Sequence, residues 1–318
     1  SCWILRSKLA ARTINNNVNG KSRSLPEAAE KRSAKLLANP GALANMVSRV
    51  AYEAGDITLK YFDPAGLDDA EVKGDGSPVT AADREAEAYI EHALADILPD
   101  VPFLAEEAVE AGRIPDLSSQ TYFWCVDPLD GTKDFVAGKG DFTVNIALIH
   151  NNAPLIGVVY APHNGEMYTA SVPDGATRWL EDSETEKDIQ VRRPPAEGLD
   201  VVASSMHGDT SRQEQFLDHF KVRKLIKRGS SLKICAIAAG KADLYPRFGP
   251  TCEWDTAAAH AVLQAAGGDI TQLDGTPLTY GGKGKRASAD DFRNPEFVAF
   301  GDRGLISTYS YSRNYLDK

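Results

Sequence analysis

The chain has 318 residues, 42% of them hydrophobic and 25% charged, with a formal net charge of −10. That length suits roughly two domains around a substantial core, and the acidic balance excludes a protein that grips nucleic acid nonspecifically through its phosphates. No apolar run approaches the ~18 residues of a spanning helix, and four cysteines (Cys2, Cys125, Cys235, Cys252) without CxxC or Cys/His spacing are expected as reduced thiols in a cytosolic protein.

From Ser1 to Pro26 there are five Lys or Arg and no acid. Residues 1–40 are expected to form a disordered extension, whose basic, acid-poor composition leaves organellar targeting open. Leu43, Met46, Val47, Val50, Ala51, Ala54, Ile57 and Tyr61 recur at helical steps, which predicts an amphipathic helix closed by Asp63-Pro64. After a polar loop carrying Lys73, Thr80 is expected to open a second helix, with Thr80 and Asp83 at N-cap and N3 spacing. Val101 to Ala105 is a short apolar run that ends in Glu106-Glu107. Tyr122 to Val126 is predicted as a buried strand that stops at Asp127, because Pro128 removes a ladder donor and fixes its own φ. Three further strands, at 142–149, 155–161 and 166–171, are separated by short turns and predict an antiparallel meander. The acidic stretch 181–198 lacks periodicity and is read as the boundary between a 41–195 half and a 196–318 half. Beyond it, strands near 201, 222, 242, 270 and 297 alternate with helices at 211–219, 230–239 and 255–266, which is α/β character.

Five acids could share a site. Asp127 and Asp130 stand three positions apart on a stiff turn, followed by Gly131 and Thr132, a pattern that suits a divalent cation bridging to a phosphate and equally suits an ordinary surface turn. Glu106 and Glu107 end a neighbouring apolar run, and Asp255 stands where a helix starts and could simply cap it. Four carboxylates about 5 Å apart repel by roughly 3 kcal/mol per pair at an effective dielectric near 20. Six pairs sum to roughly 20 kcal/mol, more than the ~5–15 kcal/mol net stability of a domain, so a convergent cluster requires cations or protons. With oxygen donors only, Mg2+ is the natural occupant. Thr80 and Asp83 are either a helix cap or a hydroxyl–carboxylate pair able to orient and deprotonate a water.

Glu106-Glu107, Asp127-Pro128-Leu129-Asp130-Gly131-Thr132 and Trp254-Asp255-Thr256-Ala257-Ala258, in that order, resemble the inositol monophosphatase superfamily of Mg2+-dependent phosphatases. SPVTAAD, VDPLDGTKDF, FTVNIALI, GVVYAP, GSSLK and LYPRFGPTCEWDTAA are more specifically similar to its 3'(2'),5'-bisphosphate nucleotidases, over about Ala42 to Phe300. The resemblance implies an α+β / α/β layered sandwich of two subdomains, with alternating αβαβα layers. It implies two or three Mg2+ ions held by Glu106, Asp127, the Leu129 carbonyl, Asp130 and Asp255. Thr80 and Asp83 would belong to the water-activating set, Glu107 would be a second acid, and Gly131 and Thr132 would receive the scissile phosphate. His207, Ser230, Ser231, Lys233 and Arg247 would line the nucleotide pocket together with Asp255. Thr251-Cys252-Glu253 departs from the commonest pattern, with an added thiol and acid beside Trp254.

The implied reaction is hydrolysis of adenosine 3',5'-bisphosphate to AMP and phosphate, linked to sulfur assimilation. The implied partner is that small nucleotide, with no nucleic acid and no transmembrane segment; peripheral membrane contact stays open, as does monomer or homodimer. A phosphatase of the same superfamily acting on inositol or sugar phosphates would keep every acid and differ at Lys233, Arg247 and His207. A noncatalytic nucleotide- or metal-binding protein would have lost an acid or the Thr80–Asp83 pair, and none is missing.

Overall fold

The computed structural model describes residues 27–67, 78–204, 210–282 and 288–305. Seven strands form the first sheet in sequence order: β1 (Phe103–Ala105), β2 (Tyr122–Asp130), β3 (Thr143–His150), β4 (Ala153–Ala161), β5 (Glu166–Ser171), β6 (Gly175–Leu180) and β7 (Thr185–Ile189). β1 runs parallel to β2, and every later pair is antiparallel, so the expected meander is present and extends two strands further. β7 falls within the stretch expected to be aperiodic, and β6 ends just before it. They approach the free edge of the sheet, and β7 is exposed along most of its length, so no apolar alternation marks it.

Strand β2 is buried from Phe123 through Leu129, so both faces of its sheet must be covered. On one face, Trp124 and Val126 pack with Leu43, Val47, Val50 and Ala54 of α2 (Pro40–Leu59) and with Ile90 and Leu94 of α3 (Pro78–Ile97). On the other, Phe123 and Cys125 join a core shared with α7 (Leu232–Ala238) and α8 (Ala257–Ala265). The same core continues into the second sheet, whose order is β11 (Asp269–Gln272), β12 (Phe297–Phe300), β10 (Leu244–Arg247), β8 (Leu199–Ser204), β9 (Val222–Arg228). Phe216 of α6 (Thr210–Leu217) covers the far face with Leu199, Val201 and Phe300. Helices, sheet, helices, sheet and helix give the αβαβα layering. Burying each large apolar side chain stabilises it by about 1.5–3 kcal/mol. No helix among the described residues is long and apolar enough to cross a membrane.

Three expectations need correcting. Within the supposedly disordered 1–40, α1 (Glu27–Leu37) is helical, and Leu36 and Leu37 pack against the α2–α3 core; residues 1–26 lie outside the described residues. Strand β2 does not stop at Asp127 but runs to Asp130, with its register shifting between the two. The irregularity takes up Pro128, which has no N–H to give a regular ladder. The third correction is at α3, which begins at Pro78, so Thr80 lies in its first turn rather than capping it. Proline is suited to a helix start because its missing N–H would have been unpaired there anyway.

Candidate active site

Pairing of β1 with β2 sets Leu104 beside Cys125 and Ala105 beside Val126. The next residues, Glu106 and Asp127, therefore stand side by side, Glu106 just past the end of β1 and Asp127 still within β2. Glu106 opens the five-residue helix α4 (Glu106–Glu110), an element not foreseen from the sequence. Asp255 arrives from the other sequence half on a 3-10 turn, Glu253–Asp255, that packs on β2 and β3 just ahead of α8. Its carboxylate accepts the Cys252 N–H at 2.8 Å, so it serves that turn and is not the cap of α8.

Oxygens of Glu106, Asp127 and Asp255 lie within 4.8 Å of one another. Burial, and next to it the neighbouring acids, pushes Glu106 up to about 9 and Asp255 up to about 7, and raises Asp127 well above the ordinary carboxylate range. Three hard oxygen donors, withdrawn from water and repelling one another, fit a hard divalent cation. Among the described residues no Lys or Arg forms an ion pair with any of the three.

Asp130 adjoins this trio without joining it. Its Oδ2 accepts the Ser231 N–H at 2.7 Å, the Ser231 hydroxyl at 3.1 Å and the Ser230 hydroxyl. The two serines expected to meet a phosphate are thus bonded to an expected metal ligand. Leu129 is buried, its N–H donating to Asp127 Oδ1 at 3.0 Å and its side chain packed with Phe135 and Phe142. Gly131 has φ +98, and a Cβ there would come within 2.9 Å of the Asp141 carbonyl, so no other residue fits the step from β2 into α5 (Thr132–Val136). Thr132 stands exposed at the start of that helix.

Asp83 is pushed up to about 8, by burial first and then by Glu107, and its charge acts in turn on Glu106 and Asp127. It lies near the trio, on the same first turns of α3 that carry Thr80. Glu107 turns aside: its carboxylate sits 3.7 Å from Arg84, and its N–H donates to Glu87 at 2.9 Å.

Beside the trio opens a groove of about 300 Å³ that draws together Gly131, Thr132, Ser230, Ser231, Lys233, Arg247 and Asp255. Lys233 holds its ammonium 5.8 Å from the centre of the Tyr245 ring, and burial pushes its pKa down to about 8. Arg247 donates to the Gly249 carbonyl at 3.2 Å and to the Pro250 carbonyl at 3.0 Å. His207 lies outside the described residues.

Sequence reasoning missed two supports. Asn145 is fully buried, donates to Ser231 Oγ at 3.0 Å and accepts from Thr143 at 3.0 Å, tying β3 to the start of α7. Polar residues two apart within the apolar run FTVNIALI were the available signal, since a buried polar side chain needs a partner. Glu253, the added acid beside Trp254, is 4% exposed and accepts the amides of Gly281 and Gly282.

Comparison with known proteins gives a consistent result. Residues 42–299 match the inositol monophosphatase family. The chain is 42% identical over 257 residues to the 3'(2'),5'-bisphosphate nucleotidase CysQ of Escherichia coli strain K12, covering 80% of this chain and 98% of that protein. It is 33% identical to the CysQ nucleotidase of Aggregatibacter actinomycetemcomitans, over 79% of this chain and 90% of that one. Among solved structures, CysQ from Bacteroides thetaiotaomicron superposes with a TM-score of 0.67 at 35% identity, covering 83% and 98% of the two chains. An inositol monophosphatase from Zymomonas mobilis superposes with a TM-score of 0.66 at 25% identity, covering 85% and 97%.

Proposed function

The chain belongs to the inositol monophosphatase family, and on that premise we propose that it is a Mg2+-dependent phosphatase that converts adenosine 3',5'-bisphosphate to AMP and phosphate. The observation that carries this reading is the shared mouth of two features: three carboxylates within 4.8 Å, one buried and two half-buried, and a groove that holds Lys233 and Arg247 and is reached through Asp255.

Glu106, Asp127 and Asp255, with Asp130 and the Leu129 carbonyl, are the groups that would hold two or three Mg2+ ions. Bound there, the ions supply Lewis-acid polarisation of the phosphoryl group and neutralise charge on its oxygens. The remaining work falls to the chain itself. Gly131 and Thr132 take the phosphate to be removed, offering an amide and a hydroxyl where β2 turns into α5. Asp83, lying near the trio on the first turns of α3, orients and deprotonates the attacking water together with Thr80. Glu107, paired with Arg84, supports Asp83 from behind through its charge.

Lys233 and Arg247 receive the phosphate that stays on the nucleotide. Burial costs the Lys233 ammonium part of its hydration, so an incoming dianion restores its charge at less expense than in water. Ser230 and Ser231, bonded to Asp130, link the two phosphate positions, and His207 is assigned to the base side. A cytoplasmic enzyme acting as monomer or homodimer completes the proposal.

Phosphate release tests it, with adenosine 3',5'-bisphosphate, its 5'-phosphosulfate relative and inositol 1-phosphate compared with and without Mg2+. Mg2+-dependent turnover of the adenosine bisphosphate at least tenfold above inositol 1-phosphate is expected. The reverse preference would move the chain to the inositol branch, and release indifferent to chelator would sink the metal assignment.

A further inference from the structure

The turn that carries Asp255 is tied down from one side by a segment that plays no part in the chemistry above. Glu253, two residues before Asp255 and 4% exposed, accepts the Gly281 N–H at 2.7 Å on one oxygen and the Gly282 N–H at 2.8 Å on the other. Consecutive amides presented this way form a small anion-binding concavity, and here a side chain of the same protein fills it. The backbone conformation is glycine's own: φ is +115 at Gly281 and +73 at Gly282, and a Cβ on Gly281 would meet Asn152 Nδ2 at 2.7 Å.

Next to it, the Tyr280 hydroxyl lies 2.8 Å from His260 Nδ1 and 3.4 Å from Thr256 Oγ1, the residue after Asp255. His260 Nε2 is in turn 3.0 Å from Asp269. Tyr280, His260 and Thr256 are all at most 2% exposed. The segment has its own anchor in the first sheet, at the β3–β4 hairpin. There the Tyr280 N–H donates to the Asn152 carbonyl at 3.0 Å, and Asn152 Nδ2 donates back to the Tyr280 carbonyl at 2.6 Å.

We propose that Glu253 and Tyr280 are positioning residues for Asp255: through them the Tyr280-Gly281-Gly282 segment, clamped to the Asn152 hairpin, fixes where the Asp255 carboxylate meets Glu106 and Asp127. The reason lies in the origin of the ligands. Glu106 and Asp127 are set by one ladder, whereas Asp255 comes from the other sequence half on a three-residue turn; its carbonyl is tied to β3 through Ser231 and Asn145, and the Glu253 and Tyr280 side chains add a second tie at the Asn152 hairpin. The hairpin belongs to that sheet, so Glu253 and Tyr280 transmit the position of the first two acids to the third. Neither side chain touches substrate. The inference rests on the metal-site reading of the trio but not on the identity of the nucleotide.

Glu253→Gln and Tyr280→Phe test it, each keeping the shape of the side chain and removing one bonding feature. Titration calorimetry with MgCl2 on the folded, substrate-free protein reads the metal site directly, beside kcat and KM for the adenosine bisphosphate and the thermal midpoint. The expected result is Mg2+ affinity weakened about tenfold for E253Q and about threefold for Y280F. KM for the nucleotide should stay within twofold, because Lys233 and Arg247 are untouched. A lowered midpoint with unchanged Mg2+ affinity in both variants overturns the proposal by reducing the brace to a stability role, as does a wild type that binds no Mg2+. If the wild type binds Mg2+, the variants lose affinity and no phosphate is released from the bisphosphate, the substrate reading fails while the positioning role stands.

Discussion

Two groups of acids in this chain meet opposite electrostatic conditions. Asp200 and Asp243 are met by arginines: Arg192 reaches Asp200 at 2.7 Å and Asp243 at 2.9 Å, and Arg223 reaches Asp200 at 2.5 Å. The bond from Arg223 is the leading reason that the Asp200 carboxyl is held down to about 2. Asp127, buried, and Glu106 and Asp255, half-buried, have no cation in ion-pair contact among the described residues, and their carboxyl groups are held up instead. At Asp200 and Asp243 the chain supplies its own countercharge. At Glu106, Asp127 and Asp255 it supplies no ion-pair partner, and that contrast marks the trio as the seat of a cation taken from solution.

The largest expected effect follows from removing one unmatched charge. Asp127→Asn should lower kcat by roughly 10³-fold, about 4 kcal/mol of transition-state stabilisation. The metal-free fold should hold or gain stability, because the buried group most tightly surrounded by like charges has gone. Near-wild-type turnover at saturating Mg2+ would break the comparison at its centre. Asp243→Ala is the converse case. It removes the acceptor of Arg192 and of the Asp200 N–H, and should cost about 3 kcal/mol in denaturant unfolding while leaving kcat per folded molecule unchanged. A catalytic defect in that variant would mean that the two clusters are not independent.

Much of this arrangement was legible before any coordinates. The apolar runs ending at Ala105 and Val126 are short and buried, so their acids were expected where those runs end, and parallel pairing sets Glu106 and Asp127 side by side although β2 continues to Asp130. What misled was local chemistry overruled by tertiary context. Pro128 reads as a strand stop, yet an irregularity between Asp127 and Asp130 accommodates it. Thr80 reads as a cap, yet Pro78 starts the helix two residues earlier. Asp255 fits an N-cap pattern, yet it sits on a separate turn that packs on β2 and β3 and meets Glu106 there. Glu107, equal to Glu106 in sequence terms, is diverted by Arg84, a long-range pairing that no spacing announces.

A smaller effect separates the groove from the trio. Lys233→Met should raise KM for the bisphosphate about 10–30-fold, the roughly 1.5–2 kcal/mol of one hydrogen bond to a charged group, with kcat within threefold. Steady-state kinetics on the adenosine bisphosphate would show it. A fall in kcat with KM unmoved would instead place Lys233 with the reacting phosphate rather than with the one that remains.

The subtlest prediction sets the two acid clusters against each other through pH. In chelator, the folded trio and Asp83 keep protons that the unfolded chain releases near pH 4, so the folded state binds more protons than the unfolded one. Stability must then fall as pH rises, from about 4 through the values near 7, 8 and 9 of Asp255, Asp83 and Glu106. Asp200 behaves in the opposite sense: its folded value near 2 makes its contribution present above about 4 and lost as pH falls toward 2. Thermal midpoints in chelator should therefore peak in mild acid and decline by about 5 °C or more toward pH 9. Saturating Mg2+ replaces those protons as countercharge and should flatten the decline without touching the acid limb, because Asp200 already has its arginines. A midpoint in chelator that rises from pH 5 to pH 8 as steeply as it does in Mg2+ would show that the trio carries no unmatched charge.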